Sequence, residues 1–171
     1  MTRQPGAQGN DFLRQVLDRT GSELPQVITD AVLKTVKAMF GQSMYAVQGR
    51  TGGDVPPCYA ASVVLVQEPS CFRLRLAFDG TLLKTLVVAI YPLEAANSDD
   101  ALSDVAAEIS NIVAGHVKTF VNQRGFNVSR DLPVVENAAA GADAVTGCFS
   151  LNFSIFRNSL SVRNLLNVSL L

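Results

Sequence analysis

The sequence has little of what most catalytic and metal sites are built from. It has no tryptophan, a single histidine and three cysteines in 171 residues. Cys58, Cys71 and Cys148 are odd in number, widely spaced and without a CxxC pair, which is unlike a disulfide framework or a zinc site. Cys71 and Cys148 fall in strand patterns and are read as small core residues. This cysteine usage favours a reducing, cytoplasmic location.

Neither sign of charge is in excess. The chain carries 14 Lys and Arg against 15 Asp and Glu, for a formal net charge of −1. Without a basic stripe, nucleic acid is an unfavourable main partner. The longest apolar runs, such as Leu86–Tyr91, are far too short for a membrane span, and the N-terminus MTRQPGAQGND lacks the apolar region of a secretory signal. We therefore expect neither nucleic-acid binding nor membrane insertion.

What the chain does have is enough apolar sequence for one ordered domain. Hydrophobic residues make up 48% and charged residues 17%, and low-complexity runs are absent. Residues 1–21 are predicted to form an N-terminal extension, with a short helix over Asp11–Asp18. Residues 22–171 are predicted to form the single domain.

Periodicity predicts both helices and strands in this domain. A helix begins after Ser22, a plausible N-cap, and ends at Gly41. Tyr59–Val66 is continuously apolar and Cys71–Phe78 alternates, so the two are predicted to pair as a hairpin. Residues 80–91 repeat at helical spacing, although their β-propensity leaves a strand as the alternative.

The remaining segments complete an α+β fold. Extended or strand segments are expected in the C-terminal part of the chain, at 126–130, 133–136, 145–155 and 160–170. Helices packed on one face of an antiparallel sheet fit this order of elements.

The longest unbroken helical period covers residues 99–125. Its apolar side is predicted to carry Leu102, Val105, Ile109, Ile112, Val113 and Phe120. Its polar side is predicted to carry Asp104, Glu108, Asn111, Gly115, Lys118 and Asn122. Glu108 and Asn111 are three residues apart and share a face. With Ala107, Ala114 and Gly115 as neighbours, little bulk would separate this pair from a visiting molecule.

The residues alone leave the chemistry of this helix open. A Glu and an Asn on a helix face are usually ordinary solvated surface. His116 projects about 20° from Ile109, on the side expected to be buried, so a core histidine is the simplest interpretation. No Ser–His–Asp or Cys–His arrangement, Walker loop or GxGxxG motif is present. Arg73 and Arg75 could bind an anion, but a solvated sheet face is the simpler reading.

The same helix resembles the signature of the CheC/CheX/FliY family of chemotaxis phosphatases. That signature is an Asp or Ser, three residues, a Glu, two residues, an Asn and a downstream Pro. The matching positions here are Asp104, Glu108, Asn111 and Pro133. The surrounding AExxNIVAGxxK, which contains Gly115 and Lys118, resembles the CheX-like branch.

The resemblance implies a phosphatase of response regulators of the CheY type. Asn111 would orient the attacking water, and Glu108 would pair with a lysine of the regulator. Asp104, Gly115 and Lys118 would support partner binding. The protein would need no cofactor of its own, because the Mg²⁺ belongs to the regulator's site. The resemblance also implies a homodimer, formed through sheet edges, and an apolar final strand at an exposed edge would suit that.

The chain departs from the family pattern at three places. Its hairpin turn is Glu68-Pro69-Ser70 where a glycine is usual, Ser110 stands between the key pair, and residues before 22 are additional. Two other functions are therefore considered. One is a non-catalytic domain that binds a regulator or forms part of a flagellar switch. The other is a small-ligand sensor with a pocket beneath the helix.

Overall fold

The structure, a computed structural model, describes residues 8–47, 59–137, 149–155 and 165–171. Four α-helices and seven strands make up this part of the chain. The helices are α1 Gln8–Thr20, α2 Glu23–Phe40, α3 Gly80–Ile90 and α4 Asp99–Gln123, with a 3-10 helix at Leu93–Asn97. The strands are β1 Tyr45–Val47, β2 Tyr59–Gln67, β3 Ser70–Phe78, β4 Ser129–Arg130, β5 Val134–Asn137, β6 Phe149–Ser154 and β7 Leu165–Leu170.

The strands form one antiparallel sheet in the order β1-β6-β7-β3-β2-β4, and β5 also pairs with β2. α4 packs against β2 and β3, α1 packs against β3, and α2 and α3 pack against α4. The predicted α+β fold, with helices on an antiparallel sheet, is confirmed.

The β2–β3 hairpin shows why the sheet has an inner and an outer face. Phe72, Leu74 and Leu76 are buried in the main core, whereas Arg73 between them is exposed. Side chains alternate across a strand, so the apolar set faces the helices. The predicted hairpin is confirmed, with Val63 opposite Leu74 in the register.

Two helix ends are capped by the residue type expected there, and a third has the expected residue without a side-chain hydrogen bond. Gly41 ends α2 in the left-handed conformation at φ 67°, which glycine adopts at little cost. The Asp79 carboxylate accepts a hydrogen bond from the Thr81 amide at the start of α3. Gly80–Ile90 form the predicted helix rather than the alternative strand, and Tyr91 after it is extended. Ser22 makes no capping hydrogen bond through its side chain. Ser22 nevertheless occupies the predicted N-cap position, since α2 begins at Glu23.

The edge of the sheet next to β2 contains a β-bulge. Leu65 pairs with Arg130 and Ser62 pairs with Val134, so two residues of β2 lie opposite the three residues 131–133. Pro133 has no N–H to donate to the ladder, which favours an interruption at this point. Because of the extra residue, residues 131–133 bulge out of the regular pairing with β2.

Three features of the fold differ from the sequence prediction or extend it. β7 lies between β6 and β3, so the expectation that the final strand is an exposed edge is wrong. The three-residue strand β1 was not anticipated. Phe12, Leu13 and Val16 of α1 are buried in the same core as the rest of the domain. The division at residue 21, and the homodimer, stay predictions.

None of the helices in the described ranges is long and apolar enough to cross a bilayer.

Candidate functional site

The predicted site residues on α4 meet in one surface groove. A groove of about 410 Å³ crosses the middle of this helix and is lined by Asp104, Glu108 and Asn111. These residues are four and three apart, so they form a single stripe along the helix. Asp104 and Glu108 are exposed and Asn111 is half-buried. Within the residues that the structure describes, neither carboxylate has a hydrogen-bond or ion-pair partner.

The rim of this groove comes from two other elements and is apolar. Ile90 and Tyr91, at the end of α3, line one side, while Leu132 and Pro133 from the β-bulge line another. Leu132 is 83% exposed, and Ile90 and Tyr91 are more than 40% exposed. Large apolar side chains gathered at the surface mark an interaction site more often than isolated ones do. The two carboxylates and the amide therefore lie within an exposed apolar frame.

Asn111 is the one member of the stripe with a fixed side-chain contact. Nη1 of Arg130 donates a hydrogen bond to Oδ1 of Asn111. The same nitrogen donates to the Asn111 carbonyl oxygen at 3.2 Å. Sequence reasoning missed Arg130, because the contact joins residues 19 positions apart and belongs to no motif. The signal available in the sequence was its position three residues before Pro133, where the extended segments are predicted to break.

Gly115 and Lys118 lie further along the helix, outside this groove. Lys118 is seven residues beyond Asn111, which is about 10 Å along the axis, and it is half-buried. Gly115 lines a second surface groove together with His116 and Phe120. The structure thus brings Asp104, Glu108 and Asn111 together but leaves the predicted supporting roles of Gly115 and Lys118 as predictions.

His116 is exposed, so the prediction of a core histidine is wrong. The buried side of α4 is rotated toward its small residues: Ala106, Ser110 and Ala114 are fully buried. Ser110 satisfies its hydroxyl by donating to the Ala106 carbonyl at 2.8 Å. Ile112, predicted for the buried side, is only half-buried in consequence.

The same rotation changes the surroundings expected for the Glu108–Asn111 pair. Ala114 lies in the core and does not flank the pair. The open space beside the pair comes from Ala107, which lines the groove. On the side of the helix that faces the core, Ile109, Val113 and Val117 are all 0% exposed. Both grooves described here are on the outer surface, so neither is the pocket beneath the helix that a sensor would use.

Among the residues that the structure describes, the other polar candidates give no second site. Arg75 is half-buried on the outer sheet face, where burial lowers the pKa of its guanidinium, the Glu136 carboxylate opposes that shift and Arg73 adds to it. An arginine remains protonated at neutral pH despite such a shift. Cys71 is half-buried instead of lying in the core, and Cys58 and Cys148 fall outside the described residues. No cluster of three metal-binding side chains occurs in the described ranges.

Comparison with known proteins gives matches only among solved structures. No family model and no curated protein matches the sequence. The chemotaxis protein CheX from Vibrio vulnificus superposes with a TM-score of 0.66 at 15% identity, covering 88% of this chain and 97% of the other. The chain has the fold of CheX. The family resemblance that the long helix carried is thus confirmed for the fold.

Two further solved structures are similar to this chain in fold, one a complex that contains CheX and the other a FliY protein. One is the complex of CheX with CheY, beryllofluoride and magnesium from Borrelia burgdorferi, with a TM-score of 0.59 at 14% identity over 85% of this chain and 96% of that one. The other is Thermotoga maritima FliY, with a TM-score of 0.53 at 14% identity over 99% of this chain and 92% of that one. At these identities the similarity establishes the fold and leaves the activity to be argued from the site.

Proposed function

We propose that the protein hydrolyses the aspartyl phosphate of a CheY-type response regulator, using Glu108 and Asn111. The observation that carries the proposal is the groove on α4, where these two side chains and Asp104 lie inside an apolar rim. The CheX-like fold supports it, since one structure with that fold is a complex with CheY.

The reaction needs only a few groups from this chain. A water oxygen forms a bond to phosphorus, the bond between phosphorus and the aspartyl oxygen breaks, and the products are a carboxylate and inorganic phosphate. The proposal leaves Mg²⁺ and the charge neutralisation to the regulator, so this protein's contribution is to position the water in line. The Asn111 carboxamide suits that task because it can both donate to and accept from a water molecule.

Glu108 is proposed to set the docking position. It lies one turn before Asn111, is exposed and has no partner among the described residues, so it is available to a cation of the regulator. An exposed ion pair contributes at most about 1 kcal/mol. Docking would enclose Glu108 within the apolar rim, and a charge pair that loses contact with water at an interface contributes more. Asp104, at the end of the same groove, is proposed as a second polar contact.

The experiment that tests the proposal follows phosphate release. Each CheY-type regulator encoded in the same genome is phosphorylated with a small phosphodonor and mixed with the full chain. We expect at least one regulator to lose phosphate about tenfold or more faster than it does alone. Asn111→Ala is expected to remove most of that acceleration while keeping the affinity for the beryllofluoride-activated regulator within about threefold. Glu108→Gln is expected to weaken the affinity as well.

The result that contradicts the proposal is a chain that accelerates no regulator, or an Asn111→Ala variant as active as the parent. A non-catalytic regulator-binding domain is the second candidate, because identities of 14–15% to the CheX structures establish a shared fold and not shared catalysis. Tight binding of a beryllofluoride-activated regulator without any acceleration would support that candidate instead.

A further inference from the structure

Arg130 contacts Asn111 by two hydrogen bonds from one nitrogen, one to the side chain and one to the backbone. Nη1 donates to Oδ1 of the carboxamide and to the carbonyl oxygen of the same residue. The guanidinium therefore lies against the base of the Asn111 side chain, although Arg130 is an exposed residue. The contact is formed within the free chain, before any partner is present.

The backbone that carries Arg130 is fixed on both sides. Arg130 pairs with Leu65 at the end of β4, and the next amide, Asp131 N, donates to the Val64 carbonyl at 3.0 Å. On the helix side, Asn111 lies in the middle of α4, whose Ile109 and Val113 are fully buried against the core. The two ends of the contact are thus held by the sheet and by the helix, so the contact joins two rigid elements.

This contact decides which way the carboxamide faces. A guanidinium has donors only, so the amide oxygen must face it and the NH₂ group must face away. An amide oxygen has two lone pairs, and Nη1 occupies one of them. Within the described part of the chain, one lone pair and both amide hydrogens remain free for a water molecule or a phosphoryl oxygen. An unheld asparagine at a half-exposed position would sample both orientations of its amide.

We propose that Arg130 is the positioning residue of this site, which fixes the orientation of the Asn111 carboxamide before the regulator docks. The inference rests on the proposed phosphatase function for its consequence, though its structural part can be tested without any regulator. Removing Arg130 leaves Asn111 in place but lets its amide rotate. The rate of phosphate release from the bound complex is therefore lowered, whereas the affinity for the regulator is kept. Misplacing a group that orients a reactant lowers the rate about tenfold to a hundredfold.

The test compares Arg130→Met with Arg14→Met in the full chain. Both substitutions remove an exposed arginine charge, and Arg14 lies on α1, away from the groove. The first readout is the side-chain NH₂ resonance of Asn111, identified by its loss in Asn111→Ala. We expect this amide to be rigid in the parent and in Arg14→Met, and its order parameter to fall below about 0.6 in Arg130→Met. An amide equally ordered in Arg130→Met overturns the proposal.

The second readout separates turnover from binding. In Arg130→Met we expect phosphate release at saturating phosphorylated regulator to fall at least about tenfold. The affinity for the beryllofluoride-activated regulator is expected to stay within about threefold. Weakened affinity with unchanged turnover would make Arg130 a docking contact and overturn its positioning role, as would unchanged turnover with a mobile amide. If the parent itself accelerates no regulator, the proposed function fails, and the resonance of Asn111 still decides whether Arg130 holds it.

Discussion

Asn122 and Val128 are joined by two reciprocal hydrogen bonds. Nδ2 of Asn122 donates to the Val128 carbonyl at 3.1 Å, and the Val128 amide donates to Oδ1 of Asn122 at 2.7 Å. One side chain thus satisfies both backbone groups of a buried residue just after the end of α4. This pairing sets how the chain returns from the helix to β4, and with it where Arg130 can reach.

Asn122→Ala is expected to lower the free energy of unfolding by about 2 kcal/mol, because two hydrogen bonds are lost and backbone groups of a buried residue lose their partners. Thr119→Ala is the matched control on the same helix, since its hydroxyl is exposed and donates only to the Gly115 carbonyl. That control is expected to change the free energy by less than about 0.5 kcal/mol. Urea unfolding measures both. Similar losses for the two variants would contradict this structural role of Asn122.

Asp79→Ala is expected to destabilise the protein by about 1 kcal/mol, because it removes the hydrogen bond that caps α3. Asp79→Asn, which can still cap, should keep most of the stability. Ser22→Ala, at a helix start without a side-chain capping bond, should be nearly neutral. Thermal and urea unfolding of the three variants check this order. A Ser22→Ala variant as unstable as Asp79→Ala would contradict the cap assignment.

Gly115→Ala is expected to raise the free energy of unfolding by about 0.5–1 kcal/mol. The residue lies within α4, nothing lies within 4 Å of the position a Cβ would take, and alanine is the better helix former. The same variant tests the supporting role predicted for Gly115 in partner binding. If a close approach of the regulator needs the glycine, affinity for the activated regulator will fall while stability rises. Unchanged affinity would remove Gly115 from the docking surface.

Leu132→Ser is expected to weaken binding of the beryllofluoride-activated regulator at least about fivefold, which corresponds to about 1 kcal/mol. Its effect on stability should stay within about 0.5 kcal/mol, because the side chain is 83% exposed. Val88→Ser is the control: it removes an exposed apolar side chain of α3 that does not line the groove. Equal affinity for Leu132→Ser and the parent would contradict the apolar rim as the docking surface.

The sequence predicted local elements far better than contacts between them. The hairpin of β2 and β3, α3 and α4 follow from period and end residues, which act within a few positions of the chain. The position of β7 inside the sheet depends on pairing with β3, 88 to 96 residues away, and no local pattern encodes it. The three residues of β1 are too few to show a period.

The site shows the same division. The stripe of Asp104, Glu108 and Asn111 follows from helical geometry, and the groove contains all three. The prediction that His116 is buried centres the buried side of α4 on its large apolar residues. In the structure that side also includes the small residues Ala106, Ser110 and Ala114, and His116 is exposed. Leu132 reaches the groove from the β-bulge, and Arg130 reaches Asn111 from its pairing with Leu65 just before the bulge. Both placements depend on the register of two strands. Helical period could not reveal that register.

In the proposed function, the β-bulge supplies contacts to the partner, whereas α4 supplies the reacting side chains. Leu132 and Pro133 reach the groove from the sheet edge, whereas Glu108 and Asn111 stand on α4. Losing one residue from 131–133 would restore a regular ladder with β5 in its present register on β2, while α4 would keep its place. Variation in three residues could thus adapt this fold to a different regulator and leave the reacting pair untouched. Such a change would show as altered affinity among regulators with the same maximal rate.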